Sequence, residues 1–156
     1  MNRVSNMTLA FMSLAMTCVY AENTHSGPLW PRIDISNAIA TKAKSWEGKH
    51  YRAGVSKQCA NWVGEVVDSV GIECPSGHSL ARNWLKWGKP VSYATMRPGD
   101  IIVQWRGSKS GTAGHILIYV GNGQCIHRST YSKAVSRVSA ESCRARILGI
   151  RRAKST

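Results

Sequence analysis

The chain has 156 residues, room for one domain and little more, with 43% hydrophobic and 19% charged residues. Six Trp with many Ile and Val supply a core, which excludes a disordered chain, and no second long apolar run is present, which excludes a multi-pass membrane protein. Lys and Arg outnumber Asp and Glu by 21 to 8, a net charge of +13, so the expected partner is anionic: nucleic acid, anionic lipid or an acidic polymer.

In chain order, Arg3 precedes an apolar stretch from Met7 to Tyr20, broken by Thr8, Ser13 and Thr17. A spanning helix needs about 20 apolar residues, so the run is short for one. Val19-Tyr20-Ala21 follows with small or compact residues at the −3 and −1 places, so residues 1–21 read as a signal peptide cut after Ala21. Export lowers the weight of a nucleic-acid partner and predicts no stable membrane insertion once the segment is removed. Cys59, Cys74, Cys125 and Cys143 remain. In an oxidising compartment these four could form two disulfides, or at most one if a cysteine is catalytic.

Residues 22–31, with Gly27-Pro28 and Pro31, read as an irregular lead-in. Asp34 can cap a helix through Ile35, Ala38, Ile39, Ala43 and Trp46, ending near Gly48, and residues 48–57 read as a loop. A second helix runs from about Cys59 to Val70, with Gly71 as its stop. Ser79 can cap a short helix through Leu80, Trp84 and Leu85, stopped at Gly88. Pro98-Gly99 then marks a turn, followed by strands at Asp100–Trp105, His115–Val120 and Gln124–Ser129, and weaker ones near Ala134–Val138 and Arg146–Arg151. Helices first and strands later predict an α+β domain, 22–156, with the helices packed on an antiparallel sheet.

Cys59 opens a helix, where unpaired N–H groups and the helix dipole favour a thiolate and predict a lowered thiol pKa. His115 opens a strand after the Gly111-Thr112-Ala113-Gly114 segment, and His127 lies on the next strand. Nucleophile on a helix, base on a strand and orienter on the following strand form a catalytic relay. Hairpin register decides whether it can assemble. A two-residue Asn122-Gly123 turn would put His127 opposite Ile118 and His115 opposite Thr130, on opposite faces. A three-residue Gly121-Asn122-Gly123 loop puts His127 opposite Leu117, with His115 its diagonal neighbour at about 7–8 Å. The relay therefore predicts the three-residue loop. His50 and His78 lack the accompanying ligands of a metal site, so no metal or other cofactor is expected. Trp84 and Trp87 read as packing, and the Lys and Arg of the 106–109 loop as solvated surface.

These stretches together resemble an NlpC/P60-type cysteine peptidase of the broader papain-like group. The matching segments are Gly48-Lys49-His50-Tyr51, Gln58-Cys59-Ala60-Asn61-Trp62-Val63, Gly88-Lys89-Pro90-Val91, Arg97-Pro98-Gly99-Asp100-Ile101-Ile102, Gly114 to Gly123, Ile126-His127 and Leu148 to Arg152. The resemblance implies a papain-like fold, a catalytic domain over 48–156 behind a lead-in and first helix at 22–47, and hydrolysis of peptide bonds in bacterial cell wall. Carried over, Cys59 is the nucleophile, His115 the general base and His127 its orienter. Tyr51, Gln58 and Asn61 are implied at the substrate. Gln58-Cys59-Ala60-Asn61 departs from the Asp-Cys-Ser-Gly of many members, so groups linked in parts of the family to a free amino terminus are missing. Gln58-Cys59 and Pro98-Gly99-Asp100-Ile101 also resemble the CHAP amidases.

The expectation is thus an exported, monomeric peptidoglycan hydrolase, periplasmic or extracellular, that cuts an amide bond of stem peptide or cross-bridge through a Cys-His-His acyl-enzyme mechanism. The alternatives are a CHAP-like amidase, endolysin or antibacterial effector of the same group, and a wall-binding module that does not cut.

Overall fold

The computed structural model describes residues 34–51 and 57–154. The expected signal peptide and lead-in lie outside the described residues.

Asp34 begins the first element as expected. Its carboxylate accepts from the backbone N–H groups of Ser36 and Asn37, and helix α1 runs Ile35–Lys44 with Ile39, Ala40 and Ala43 buried. The chain then lies along the start of a later strand: Gly48 N–H donates to Val135 O, and Tyr51 N–H to Lys133 O. A bidentate pair between Arg137 and Glu47 ties down the same crossing. Helix α2 spans Gln58–Asp68 and buries Trp62, Val63, Val66 and Val67. Gly71, at φ +78, terminates it as expected.

The expected third helix is instead a 3-10 segment, Ala81–Lys86, and Ser79 does not cap it; Leu80 precedes it in extended geometry with no side-chain cap. Local bonds shape the entry: Asn83 Nδ2 donates to Gly77 O and the Trp84 indole N–H to His78 O. The Trp84 and Trp87 rings meet edge to face at 5.3 Å inside the core, as packing residues should.

Among the described residues six strands form one antiparallel sheet: β1 Lys89–Val91, β2 Ile101–Trp105, β3 Gly114–Gly121, β4 Gln124–Arg128, β5 Val135–Ser139 and β6 Ile147–Arg152, in spatial order β1-β6-β2-β3-β4-β5. Strand β1 was not predicted as a strand. It is a short edge element containing Pro90, which carries no alternation signal. The main core lies between the helices and the sheet face bearing Ile101, Val103, Ile116, Ile118 and Ile126, while Ile102, Leu117, Cys125 and Ile150 pack on the other face.

The β3–β4 hairpin corrects one step of the sequence argument and keeps its result. The tip is a two-residue Asn122-Gly123 turn, with both residues at positive φ (53 and 67) and Gly121 opposite Gln124. The expected three-residue loop is not there. A bulge between Tyr119 and Gly121 inserts Val120, so the pairing below it is Tyr119 with Cys125 and Ile118 with Ile126. That is the register the longer loop was invoked to supply.

Candidate active site

His115 and His127 meet directly. His115 Nε2 lies 2.7 Å from His127 Nδ1, with the rings edge to face. Ser136 Oγ lies 3.4 Å from the other nitrogen of His127, so the polar chain runs across three adjacent strands. The remaining nitrogen of His115, Nδ1, is buried and has no hydrogen-bond partner among the described residues. Burial, the charge of Arg106 and the neighbouring His127 depress the pKa of His115 to about 3. Burial and then Arg106 depress that of His127 to about 4. Both rings are therefore neutral at ordinary pH, each with one donor and one acceptor nitrogen.

Cys59 is the second residue of α2, half-buried against the helix-side core. The preceding Lys57 is left-handed, at φ 60, and contributes no side-chain cap, so the first-turn N–H groups stay open. Backbone amides at Ala60, Ile116 and Cys59 itself stabilise the thiolate, as does Arg106. Burial outweighs them and pushes the Cys59 thiol up, not down as expected. The thiol thus meets β3 at Ile116, the residue after His115, and no hydrogen bond joins Cys59 to His115 in the resting arrangement.

A cleft of about 640 Å³ opens beside Cys59, lined in part by Lys57, Gln58, Arg82, Arg106, Arg128 and the 111–114 segment. Gln58 is 6% exposed, and its amide oxygen is buried without a partner among the described residues. Tyr51 is buried and packs edge-on against Trp46, and Asn61 is half-buried one turn into α2; of the expected site residues Cys59 and Gln58 line the cleft, and Tyr51, Asn61, His115 and His127 do not. Among the described residues no cluster of three His, Cys, Asp or Glu side chains offers a metal site.

Arg106, Arg128 and Ser136 were missed. The sequence places Arg106 on a solvated loop, yet it lines the cleft, donates to Thr130 Oγ1 and projects its charge onto Cys59 and both histidines. For Arg128 a signal existed: alternation from Ile126 puts it on the helix side of β4. The four cysteines Cys59, Cys74, Cys125 and Cys143 are all free. Burial, then proximity to Cys143, raises the Cys125 thiol to about 12, which makes it a poor nucleophile.

The sequence profile of the NlpC/P60 family matches residues 45–152. Over 108 residues the chain is 31% identical to the "Murein DD-endopeptidase MepS/Murein LD-carboxypeptidase" of Escherichia coli K12, covering 66% of this chain and 54% of that protein. The chain thus spans about half the length of this curated relative. It is similar in structure to NlpC2 from Trichomonas vaginalis, with 25% identity and a TM-score of 0.63 over 80% of this chain and 49% of that one. It shares its fold with the peptidoglycan hydrolase RipB from Mycobacterium tuberculosis, at 21% identity and a TM-score of 0.62 over 79% of this chain and 68% of that one.

Proposed function

The chain belongs to the NlpC/P60 family, and from that premise we propose that it is an exported cysteine peptidase that hydrolyses an amide bond in the peptide part of peptidoglycan. The observation that carries the reading is His115: one nitrogen is fixed by His127, and the other is buried, free and on the strand that the Cys59 thiol touches. A general base needs an acceptor nitrogen with its opposite nitrogen held.

In the proposed reaction His115 carries its proton on Nε2 and donates it to His127 Nδ1, while His127 donates from Nε2 to Ser136 Oγ. Nδ1 of His115 then accepts the Cys59 proton as the sulfur attacks the carbonyl carbon. Because burial keeps the resting thiol protonated and the imidazole neutral, proton transfer accompanies attack. The Cys59 N–H at the helix start faces the developing oxyanion. His115 returns the proton to the departing amine as the C–N bond breaks, leaving a thioester. It then takes a proton from the water that attacks the thioester carbonyl, and as the C–S bond breaks it returns that proton to the Cys59 sulfur, which restores the thiol and the neutral imidazole.

Residues 1–21 act as the export signal in this reading, which puts the enzyme in the periplasm or outside the cell as a monomer. Murein endopeptidase activity in a 31% identical relative supports the substrate class. The test is digestion of purified peptidoglycan followed by mass spectrometry of the soluble products. Wild-type protein is expected to release stem-peptide fragments, and Cys59→Ala none while keeping its circular dichroism spectrum. Release by Cys59→Ala would overturn the mechanism.

A further inference from the structure

Arg128 is 6% exposed, its Nε is buried with no hydrogen-bond partner among the described residues, and none of the ion pairs there includes it. A buried cation without a counter-charge is costly and is a sign of a missing anion. The cleft it lines, beside Cys59, also presents Lys57, Arg82 and Arg106, and no Asp or Glu is among the described residues that line it. The adjoining segment 52–56, Arg-Ala-Gly-Val-Ser, contains no acid in sequence.

The cations are not equivalent. Arg82 is spent on the chain itself, donating to the carbonyls of Ala113, Ser108 and Lys109 and so pinning the 106–113 loop at the mouth of the cleft. Arg106 spends one nitrogen on Thr130 Oγ1. Arg128 is the guanidinium left open, on the strand that carries His127 but displaced by one residue.

We propose that Arg128, assisted by Arg106, is a carboxylate-binding subsite next to Cys59, and that the preferred substrate is a peptide with a free carboxylate close to the scissile amide. A guanidinium matches a carboxylate with two parallel N–H···O bonds, a fit that a neutral carboxamide does not reproduce. A cleft of this sign repels a free ammonium. The proposal rests on the hydrolase reading for the identity of the bond, but not for the recognition itself.

The experiment uses synthetic stem peptides in pairs that differ only in amidation of one carboxyl. Binding is measured by calorimetry on full-length Cys59→Ala protein, and cleavage separately on wild type. Amidation of the recognised carboxylate is expected to weaken binding at least about tenfold. Arg128→Gln is expected to abolish that preference and Arg128→Lys to keep part of it, with melting curves showing both variants folded. Equal binding of acid and amide, or a full preference surviving in Arg128→Gln, overturns the subsite. Should Arg128→Gln fail to fold, the acid–amide comparison in the Cys59→Ala protein and the partial loss in Arg128→Lys decide. Acid-selective binding without cleavage by wild type would sink the hydrolase reading and keep the subsite. Equal cleavage of both peptides would do the reverse.

Discussion

At the scale of single residues the site is governed by burial. His115 and His127 are neutral in the fold at values of about 3 and about 4, against 6.5 for a free imidazole. The unfolded chain therefore binds more protons below pH 6.5, and stability rises with pH through that window. Stability is whole above pH 6.5 and is lost as pH falls toward 4 and then 3, by up to about 1.4 kcal/mol per pH unit for each ring. Chemical denaturation at a series of pH values checks this, and His127→Asn is expected to remove its share of the slope. Arg106 is a second lever. It lowers the pKa of Cys59 and of both imidazoles, so Arg106→Gln is expected to shift all of them upward, read as a later rise in Cys59 alkylation with pH. The places of Cys59, His115 and His127, whose catalytic role is proposed above, were legible as a helix start and two adjacent strands because each has a local sequence signal. The sign of the thiol shift was not, because the helix start is local and burial is tertiary. Arg106 was hidden by its commonness in a chain with 21 Lys and Arg, whereas Arg128 carried one local signal, its alternation with Ile126 on β4.

At the scale of elements, two devices align the strands that carry the site. Gly99 sits at φ +93 and lies so close to α1 that a Cβ there would collide with the Ser36 carbonyl. Asp100, fully buried, accepts Arg152 through both oxygens and the Arg97 N–H through one, locking the start of β2 to the end of β6. The Pro-Gly-Asp turn read from the sequence thus has a mechanical role: the glycine permits the approach and the aspartate fastens it. Asp100→Asn leaves Arg152 without its counter-charge and is expected to cost about 3 kcal/mol, measured by urea denaturation. Gly99→Ala is expected to cost a similar amount, about 3 kcal/mol, from left-handed strain plus the collision. The β3–β4 hairpin shows where local reading stops. Asn-Gly called for a two-residue turn and the histidines required the other register. Both hold because Val120 is inserted as a bulge, with its side chain buried in the helix-side core. No local signal marks that insertion.

At the scale of the whole molecule, the α+β order was readable because apolar spacing changes from three-and-four to alternation near Pro98-Gly99. The short pieces, β1 and the 3-10 segment at Ala81–Lys86, were not, because elements held by tertiary contacts carry little periodicity of their own. The charge of +13 now divides into two parts. A few guanidinium groups line the cleft, and exposed Lys and Arg side chains lie elsewhere on the described residues, where long-range attraction would hold the protein on an acidic polymer. The exterior part is screened by salt. Sedimentation with purified peptidoglycan is expected to show binding that weakens several-fold between about 0.05 and 0.5 M salt, as screening over about 10 Å implies. Binding indifferent to salt would remove charge from the account.

The central claim is that the Cys59 thiol is made reactive by His115. It is tested most directly by treating the protein at neutral pH with a peptide electrophile built on a stem-peptide scaffold and mapping the adduct by mass spectrometry. Cys59 is expected to be modified well ahead of Cys74, Cys125 and Cys143, and His115→Gln to slow that modification by about 100-fold or more. Equal modification of Cys74 and Cys59, or a Cys59 rate unchanged in His115→Gln, would contradict the account.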